Sequence, residues 1–458
     1  MRILIVGGGS VGVFAARTLQ DRLSRMGHEL VLVNPENYMQ YQSLLPEAAA
    51  GNIEPRHVVV PLRQALRRTR LIVGEVQRID HERRIARIRL IDGSTRELSY
   101  EILILGPGSR SRTLPVPGLA ERAVGFKTVA EAIFLRNHIL GCLDLAAETS
   151  DPQERRAALT FVFVGAGYAG VEALAELEDL ARAAARYVPT VERAHMRWIL
   201  VEAGPTILPE IGASLAGYTT RALRRRGIEV FTDTRLGSAT DGRMELSNGH
   251  SFDAGTLVWT AGVKPEPLAI VSGLPTDEHG RLDVDDRLRV RGVSDVWAAG
   301  DAAAVPDPNT ASGISPPTAQ HATRQGKRIG RNVLAVLSGR EPAPFRYRTL
   351  GALASLGRYK GVARVLGIRL RGFPAWFVAR SYHLLMVPTF NRKVRIVFDW
   401  TVGLFFPRDL AQLGSLQAPR EPFERAVGDA RLAPRGEGDA DDADDSASRS
   451  SLARGEPQ

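Results

Sequence analysis

Two glycine-rich turns carry the residues whose types and spacing are best suited to chemistry. Both fit the pattern G-x-G-x-x-G, and they lie about 158 residues apart. The first glycine of the pattern allows a tight turn, the second lets a pyrophosphate approach the backbone, and the third lets a helix pack closely on its strand. Two dinucleotides are therefore expected to bind. The matching residues are Gly7, Gly9 and Gly12 in the first turn and Gly165, Gly167 and Gly170 in the second.

Each turn lies between an apolar segment and a helix-compatible run. Residues 3–6 precede the first turn, and the helix after it is predicted to continue to Leu23. Residues 161–164 precede the second, with a helix predicted from Val171 to about Arg186. Short apolar runs that alternate with helices indicate parallel α/β folds, in which phosphates bind at helix amino termini.

The next predicted strand of each fold ends where an acidic residue normally binds an adenosine ribose. In the second fold this residue is Glu202, which suits a free 2′-hydroxyl and repels a 2′-phosphate, so NADH is favoured over NADPH. In the first fold it is Asn34, a departure from the rule, although its amide oxygen can still accept a hydrogen bond from a hydroxyl. Glu36 lies two residues further on and is an alternative partner.

Three later strand-turn elements resemble one another. An apolar run ends near Gly108 in the first half, and a similar one ends at Gly262 in the second. Further on, residues 295–298 lead to Gly300 and Asp301. By itself the Gly-Asp pair is also explained as a turn with a helix cap.

Positive charge is concentrated in one part of the chain. The sequence has 60 Lys+Arg and 51 Asp+Glu, for a net charge of +9. Residues 342–398 contain eleven positive residues and no acidic one, and the rest of the chain is close to neutral. The same segment is rich in aromatic residues, a composition typical of an anchor in the membrane interface. A basic cap packed on the core is the alternative, whereas nucleic-acid binding is not favoured because no fold for it is recognised.

The single cysteine, Cys142, excludes an intramolecular disulfide, a C-x-x-C redox pair and a cysteine-based metal cage, and no metal site is expected. No run approaches the roughly 18 apolar residues that a membrane span needs. The amino terminus enters a strand and a glycine turn without the features of a signal peptide. A cytoplasmic protein is therefore expected.

Taken together, these motifs resemble the two-dinucleotide-binding-domain flavoproteins. The resemblance implies that the first fingerprint, Gly108 and the Gly300-Asp301 pair hold non-covalent FAD, with Asp301 on the ribityl chain. It implies that the second fingerprint, Glu202 and Gly262 hold NADH. Disulfide reductases of this superfamily use a cysteine pair, which this chain lacks. Electrons would therefore pass directly from the flavin to a quinone, an iron-sulfur protein or oxygen.

Further segments resemble one branch, the type II NADH dehydrogenases. Residues 37–51 are similar to the family's segment beside the flavin, and residues 372–410 to its carboxy-terminal amphipathic region. Residues 318–326 are similar to the A-Q-x-A-x-Q segment on the quinone side of the flavin. Gln320 matches this segment, but Arg324 replaces its second glutamine, and Gln325 comes one residue late. A helix turns about 100° per residue, so Gln325 cannot substitute for that glutamine.

Two other residues have competing interpretations. By resemblance, Glu172 is a carboxylate near the nicotinamide, and the alternative is an acid that favours the first turn of its helix. Arg324 is either a cationic partner of a quinone carbonyl or a sign of a different acceptor. We assign Glu172, Gln320 and Arg324 to the reaction.

The predicted architecture is α/β, with two Rossmann-like folds and a carboxy-terminal amphipathic membrane-binding region. The FAD-binding domain spans residues 1–120 and 276–340, and the NADH-binding domain spans 121–275. Residues 341–415 form the membrane and quinone side. Residues 416–458, rich in Asp, Gly, Ala and Ser, are predicted to be disordered.

The predicted function is that of a membrane-peripheral, non-pumping NADH:quinone oxidoreductase. The expected partners are a membrane quinone and the anionic surface on the cytoplasmic side of the cell membrane. A homodimer is left open, and nucleic acid is not expected. One alternative is a soluble NADH-dependent FAD reductase of an iron-sulfur protein or small acceptor. The other is a redox-sensing interaction protein that binds FAD and NADH.

Overall fold

The computed structural model describes residues 1–192, 195–310 and 312–412. The tail predicted to be disordered, 416–458, lies outside these residues, as do residues 413–415 of the predicted membrane side. Two sheets dominate the fold. In each of them, a glycine-rich turn follows one of the parallel strands. This confirms the predicted α/β class with two Rossmann-like folds.

The amino-terminal sheet has seven strands. In spatial order, the first five strands are parallel to one another, and the last two are added as antiparallel strands. Four of the parallel strands are mostly apolar because both of their faces are covered, whereas Arg70–Asp80 alternates buried apolar and exposed polar residues over much of its length. In spatial order the strands are Val296–Ala298, Ile102–Leu105, Arg2–Val6, Glu29–Asn34, Arg70–Asp80, Ile85–Leu90 and Thr95–Ser99.

The central sheet has five strands, all parallel. Phe161 and Phe163 are fully buried and stack on Trp198 of the next strand, so aromatic packing fixes the centre of this sheet. In spatial order the strands are Ala123–Gly125, Thr256–Trp259, Thr160–Val164, Arg197–Val201 and Ile228–Phe231.

The two fingerprint helices are Ser10–Arg25 and Tyr168–Ala184. The second begins three residues before the predicted start at Val171, because Gly167 is already its N-cap, and it ends at Ala184 rather than near Arg186. The first packs along the helix Ala319–Leu337. This approach is close, since a Cβ on Gly326 would lie 2.4 Å from the Val11 carbonyl oxygen.

The remaining elements connect and extend the two sheets. The other helices are Leu45–Ala49, Leu62–Ala65, Leu119–Arg122, Val129–Glu148, Pro152–Ala158, Ala213–Arg224 and Leu268–Val271. A three-stranded antiparallel sheet is formed by Leu236–Ser238, Arg243–Leu246 and Ser251–Asp253. The two-stranded pairs are Tyr38–Gln40 with Val59–Pro61, Ser109–Ser111 with Val263–Pro265, and Leu282–Asp283 with Ala303–Ala304.

The carboxy-terminal part begins with an antiparallel sheet of Gly351–Ser355, Gly361–Val365 and Ile368–Arg371. Two helices follow, Phe373–Met386 and Phe390–Phe405, which we call the terminal helix pair. One side of the second helix contacts the body of the protein, where Ile396 is buried. The opposite side is apolar and exposed, with Phe390 81% and Phe405 78% accessible. Within residues 1–192, 195–310 and 312–412, no helix has the length and hydropathy needed to cross a membrane.

Candidate active site

The first fingerprint forms a strained turn that only glycine fits. Gly7 has a φ of 100°, and a Cβ on Gly12 would lie 1.9 Å from the Gly7 carbonyl oxygen. Gly9 caps the helix without a side-chain hydrogen bond, and nothing lies within 4 Å of the position its Cβ would take. The helix amides and the open space beside Gly9 therefore suit a phosphate group. Asn34 Oδ1 accepts from the Gly8 amide at 2.7 Å, which ties the next strand to this turn.

The second fingerprint repeats this geometry. Gly165 has a φ of 102°, a Cβ on Gly170 would lie 2.0 Å from the Gly165 carbonyl oxygen, and Gly167 again faces open space. Glu202 Oε2 accepts from the Ala166 amide at 2.6 Å, and its Oε1 accepts from the Gly204 amide at 2.8 Å. The carboxylate is thus fixed beside the turn.

A cavity of about 650 Å³ brings together five residues predicted from the sequence to form the site. They come from four separate parts of the chain: Glu172, Gly262, Asp301, Gln320 and Arg324. Gly300 lies in the wall of a neighbouring cavity of about 470 Å³, which shares Asp301 with the first. The other predicted residues, Asn34, Gly108, Glu202 and the six fingerprint glycines, do not line the larger cavity.

Asp301 is held at one end of the larger cavity by a short chain of hydrogen bonds. Ser109 Oγ donates to Asp301 Oδ2 at 2.5 Å, and Lys127 Nζ donates to Ser109 Oγ at 2.6 Å. Burial lowers the pKa of Lys127, while the Asp301 carboxylate acts in the opposite direction. The turn that carries Asp301 is fixed by Gln325, whose Oε1 accepts from the Gly300 amide at 2.9 Å. The sequence did not identify Ser109 as a partner, because the contact joins residues 192 positions apart.

Glu172 lies on the helix that follows the second fingerprint and faces the cavity. Its Oε1 accepts from the Ser355 amide at 2.8 Å, a contact from the carboxy-terminal sheet. Burial raises the pKa of Glu172 to about 8, so the carboxyl group is largely protonated at neutral pH. Beside it, the buried hydroxyl of Tyr168 has no hydrogen-bond partner among the described residues. A buried hydroxyl without a partner is costly, so this end of the cavity favours a polar ligand group.

Gln320 and Arg324 form another part of the cavity wall, together with Tyr347 and Tyr382. Both ends of the Gln320 amide are bound, because Tyr347 Oη donates to its Oε1 at 3.0 Å and its Nε2 donates to the Gly351 carbonyl at 3.3 Å. The Arg324 guanidinium lies 4.3 Å from the centre of the Tyr347 ring. The structure therefore brings Gln320 and Arg324 of the A-Q-x-A-x-Q segment to the cavity. Two aromatic side chains there come from residues 342–398, which we call the acid-free segment.

Comparison with known proteins identifies the family. Residues 1–326 match the family model described as "Pyridine nucleotide-disulphide oxidoreductase". The "Type II NADH:quinone oxidoreductase Ndh" of Mycobacterium tuberculosis is 30% identical over 428 residues, which cover 89% of each chain. The "Probable NADH dehydrogenase" of Dictyostelium discoideum is 29% identical, over 90% of this chain and 91% of its own. This chain belongs to the pyridine nucleotide-disulphide oxidoreductase family, in its type II NADH dehydrogenase branch.

A solved structure has the same fold. The structure of NDH2 from Plasmodium falciparum in complex with NADH superimposes with a TM-score of 0.83 and covers 90% of this chain and 99% of that one, at 18% identity. The predicted resemblance to the type II NADH dehydrogenases is confirmed, and FAD and NADH are the cofactors of the chain.

The residues present fit FAD. The first fingerprint supplies a bare glycine turn and free helix amides, which suit a pyrophosphate. Asp301, Val263 and Pro317 border both cavities, so the two cavities are neighbours in which a long ligand would contact Asp301. Non-covalent binding needs no nucleophile, and the one cysteine is buried away from the cavity walls.

The disulfide chemistry in the family's name is not available inside this chain. Cys142 is the only cysteine, and burial raises its pKa to about 11. Its neighbours are His138 and Thr256, at the base of the central sheet. A neutral, buried thiol is not a nucleophile, so electrons leave this oxidoreductase by a different route.

The sequence also missed a buried group of charges behind the cavity. Arg380 donates to both carboxylate oxygens of Glu47, at 3.1 and 2.7 Å, and Trp400 Nε1 donates to Glu47 Oε2 at 2.8 Å. These contacts join the terminal helix pair to the short helix Leu45–Ala49. One basic residue of the acid-free segment, Arg380, is therefore paired inside the protein. This agrees with the alternative prediction, in which the segment packs on the core as a basic cap. No local pattern indicates the pairing, because its partners are more than 300 residues apart.

Proposed function

We propose that this protein is a peripheral, non-pumping NADH:quinone oxidoreductase, and that its reaction takes place in the larger cavity. The observation that carries the proposal is the composition of the cavity wall, where Glu172 of the NADH fold, Asp301 of the FAD fold and Gln320 beside Arg324 meet. A ligand that contacts these three parts of the wall can reach both the electron donor, NADH, and the electron acceptor. When bound there, FAD takes a hydride from NADH and passes two electrons to a quinone.

The residues of the chain bind and orient the reactants. In this proposal Gly7, Gly9 and Gly12 hold the FAD pyrophosphate, Asn34 lies beside its adenosine, and Gly108 and Asp301 border the flavin end. The second fingerprint, Glu202 and Gly262 hold NADH, with its nicotinamide beside Glu172. We keep the predicted division into an FAD-binding domain, 1–120 and 276–340, and an NADH-binding domain, 121–275.

Glu172 is suited to holding a proton next to the reacting rings. At neutral pH its carboxyl is largely protonated, since burial raises its pKa to about 8. The overall reaction consumes one proton in addition to the hydride of NADH. A neutral carboxyl can therefore donate this proton and recover it from solvent afterwards.

We further propose that the terminal helix pair lies on an anionic membrane surface, on the cytoplasmic side. The exposed side of the pair is apolar over two helices, with Phe377 58%, Phe398 65% and Phe405 78% accessible. Monomeric soluble proteins rarely expose apolar patches of this kind. Arg392, Lys393 and Arg395 lie on the second helix of the pair, and each cation near an anionic surface contributes about 1 kcal/mol. A homodimer stays compatible with this arrangement.

Steady-state NADH oxidation tests the activity. Purified protein loaded with FAD should oxidise NADH slowly in air and much faster when a short-chain quinone is added. A soluble reductase of a small acceptor would show no preference for quinones. A redox-sensing protein would bleach its flavin with NADH and then turn over slowly with every acceptor.

Co-sedimentation with vesicles tests the membrane surface separately. Phe390→Ser combined with Phe398→Ser and Phe405→Ser should release the protein from vesicles that contain anionic lipid. Ile91→Ser is a matched control, because Ile91 is 82% exposed but lies in the turn that follows the strand Ile85–Leu90. Release by the control alone, or retention of the triple variant, would contradict the anchor.

A further inference from the structure

Arg324 places a positive charge in the acceptor part of the cavity wall. It lies in the first two turns of the helix Ala319–Leu337 and lines the cavity. Its Nη1 donates to the Gln320 carbonyl at 2.9 Å, and its guanidinium stacks on the Tyr347 ring. It also forms a side-chain hydrogen bond with Tyr382. The guanidinium is therefore held in place by neighbours from three elements.

Arg324 has no direct carboxylate partner in the described part of the chain. Among the residues that the structure describes, no carboxylate oxygen forms an ion pair with Arg324 within 4.0 Å. Three carboxyl groups of the cavity wall have other partners, since Glu172 accepts from Ser355, Asp301 accepts from Ser109, and Asp307 lies 3.8 Å from His321. A partly buried cation without a counter-ion is costly, so the site favours a ligand that carries negative charge.

The guanidinium also keeps hydrogen-bonding capacity for a ligand. It has five N–H groups, and its bonds to the Gln320 carbonyl and to Tyr382 leave others free. Gln320, in contrast, has both ends of its amide bound within the protein. In this chain Arg324 is therefore the better donor to an oxygen of the acceptor.

Gln325 does not take over the position that Arg324 occupies. Its side chain is 1% exposed, and its Oε1 accepts from the Gly300 amide on the flavin side of the helix. The two side chains therefore leave the helix on different faces, and Arg324 lines the cavity while Gln325 does not. The guanidinium gives this part of the cavity wall a positive charge.

We propose that Arg324 makes the acceptor site selective for quinones that already carry negative charge, as ionised hydroxyquinones do. This inference rests on the proposed quinone reductase function. NADH and the ionised quinone give NAD⁺ and a reduced quinone with one further negative charge, because two electrons and one proton are transferred as hydride. One proton from solvent or from Glu172 then neutralises the newly formed oxyanion. Arg324 donates to the ionised hydroxyl oxygen of the bound quinone.

The test compares two acceptors with the same ring system in FAD-loaded protein. 1,4-Naphthoquinone is neutral, whereas 2-hydroxy-1,4-naphthoquinone is ionised at neutral pH. Arg324→Gln restores the neutral residue of the related segment, and Arg324→Lys keeps the charge. Arg331→Gln is the matched control, because Arg331 lies on the same helix but is exposed and does not line the cavity.

The expected result is a change in preference. In Arg324→Gln, kcat/KM for the ionised quinone should fall about ten-fold more than for the neutral one, since a hydrogen bond to a charged group is lost. Arg324→Lys should recover part of the preference, and Arg331→Gln should keep the original ratio. Equal losses for the two quinones, or an unchanged ratio, would overturn the role of Arg324.

The same experiment separates this inference from the proposed function. If the unsubstituted protein reduces neither quinone although NADH bleaches its flavin, the quinone reductase function fails. If it reduces both and Arg324→Gln leaves their ratio unchanged, only the selectivity fails. Flavin content, measured after gel filtration, shows that each variant is folded.

Discussion

The two fingerprint folds have nearly the same backbone but different side chains around it. In both, the first glycine has a φ close to 100°, and a Cβ on the third would lie about 2 Å from the carbonyl oxygen of the first. In both, the next strand ends in a side chain that accepts from the amide between the first two glycines, Asn34 at 2.7 Å and Glu202 at 2.6 Å. The turn itself therefore does not determine which nucleotide binds.

The difference lies in two acidic side chains that the second fold has and the first lacks. The first fold ends its strand in a neutral amide, and the second in a carboxylate. On the following helices, at equivalent positions, the first has Phe14 and the second has Glu172. The first helix packs on another helix, whereas the second meets the carboxy-terminal sheet through Glu172 and Ser355. In the proposed assignment, the fold whose strand ends in a neutral amide binds the resident FAD, and the fold whose strand ends in a carboxylate binds the exchanging NADH.

The largest effect should come from breaking one turn at a time. Gly12→Ala would force a methyl group against the Gly7 carbonyl oxygen, and Gly170→Ala would do the same at Gly165. We expect Gly12→Ala to lose FAD, and Gly170→Ala to keep FAD but to weaken NADH binding on the order of 100-fold, because overpacking of this kind costs about 3 kcal/mol. Flavin absorbance and KM for NADH measure the two. Loss of FAD from Gly170→Ala alone would reverse the assignment of the folds.

A smaller effect is expected from the charge at the end of the second strand. Glu202→Gln keeps an oxygen for the Ala166 amide but removes the negative charge. The preference for NADH over NADPH should fall about ten-fold, because the 2′-phosphate is no longer repelled. The ratio of kcat/KM for the two nucleotides measures this. Asn34→Gln, in the other fold, should leave the ratio unchanged.

Asn34→Ala should act on stability rather than on nucleotide preference. The Gly8 amide would lose its acceptor, and the Glu36 carbonyl would lose the donor Asn34 Nδ2, at 2.8 Å. A cost of about 1–2 kcal/mol is expected, together with faster loss of FAD on dilution. Thermal unfolding with and without added FAD measures it. An unchanged midpoint would show that this contact does not stabilise the first fold.

The last effect is a pH dependence confined to the second fold. Glu172 has its pKa raised from 4.5 to about 8, so the folded protein holds a proton there that the unfolded chain releases. The contribution of Glu172 to stability should therefore fall as the pH rises from about 4.5 to 8 and level off above it. Glu172→Gln keeps an acceptor for the Ser355 amide and removes this slope. The difference in Tm between the two proteins should grow over this pH range, and a difference independent of pH would refute the shift.

The sequence predicts both turns well because their requirements are local. A glycine at positive φ, or one whose Cβ would touch backbone, leaves a direct mark on the sequence, as at Gly7 and Gly12. Asp301 was singled out because it follows a glycine turn, and Gln320 and Arg324 because their segment resembles a family motif.

Contacts between distant segments were not predictable from the sequence. The pairing of Glu47 with Arg380 and the hydrogen bond between Ser109 and Asp301 depend on how the folds pack. The acid-free segment illustrates the limit well. Its charge indicated a surface, yet Arg380 is mostly buried against Glu47, because a count of charges does not show where each one points.

Anaerobic stopped-flow spectroscopy tests the central claim most directly. FAD-loaded protein is first mixed with one equivalent of NADH and then with a short-chain quinone, while the flavin absorbance near 450 nm is followed. Our account predicts rapid bleaching by NADH and full recovery on addition of the quinone, at rates that support steady-state turnover. Bleaching that the quinone does not reverse would contradict it.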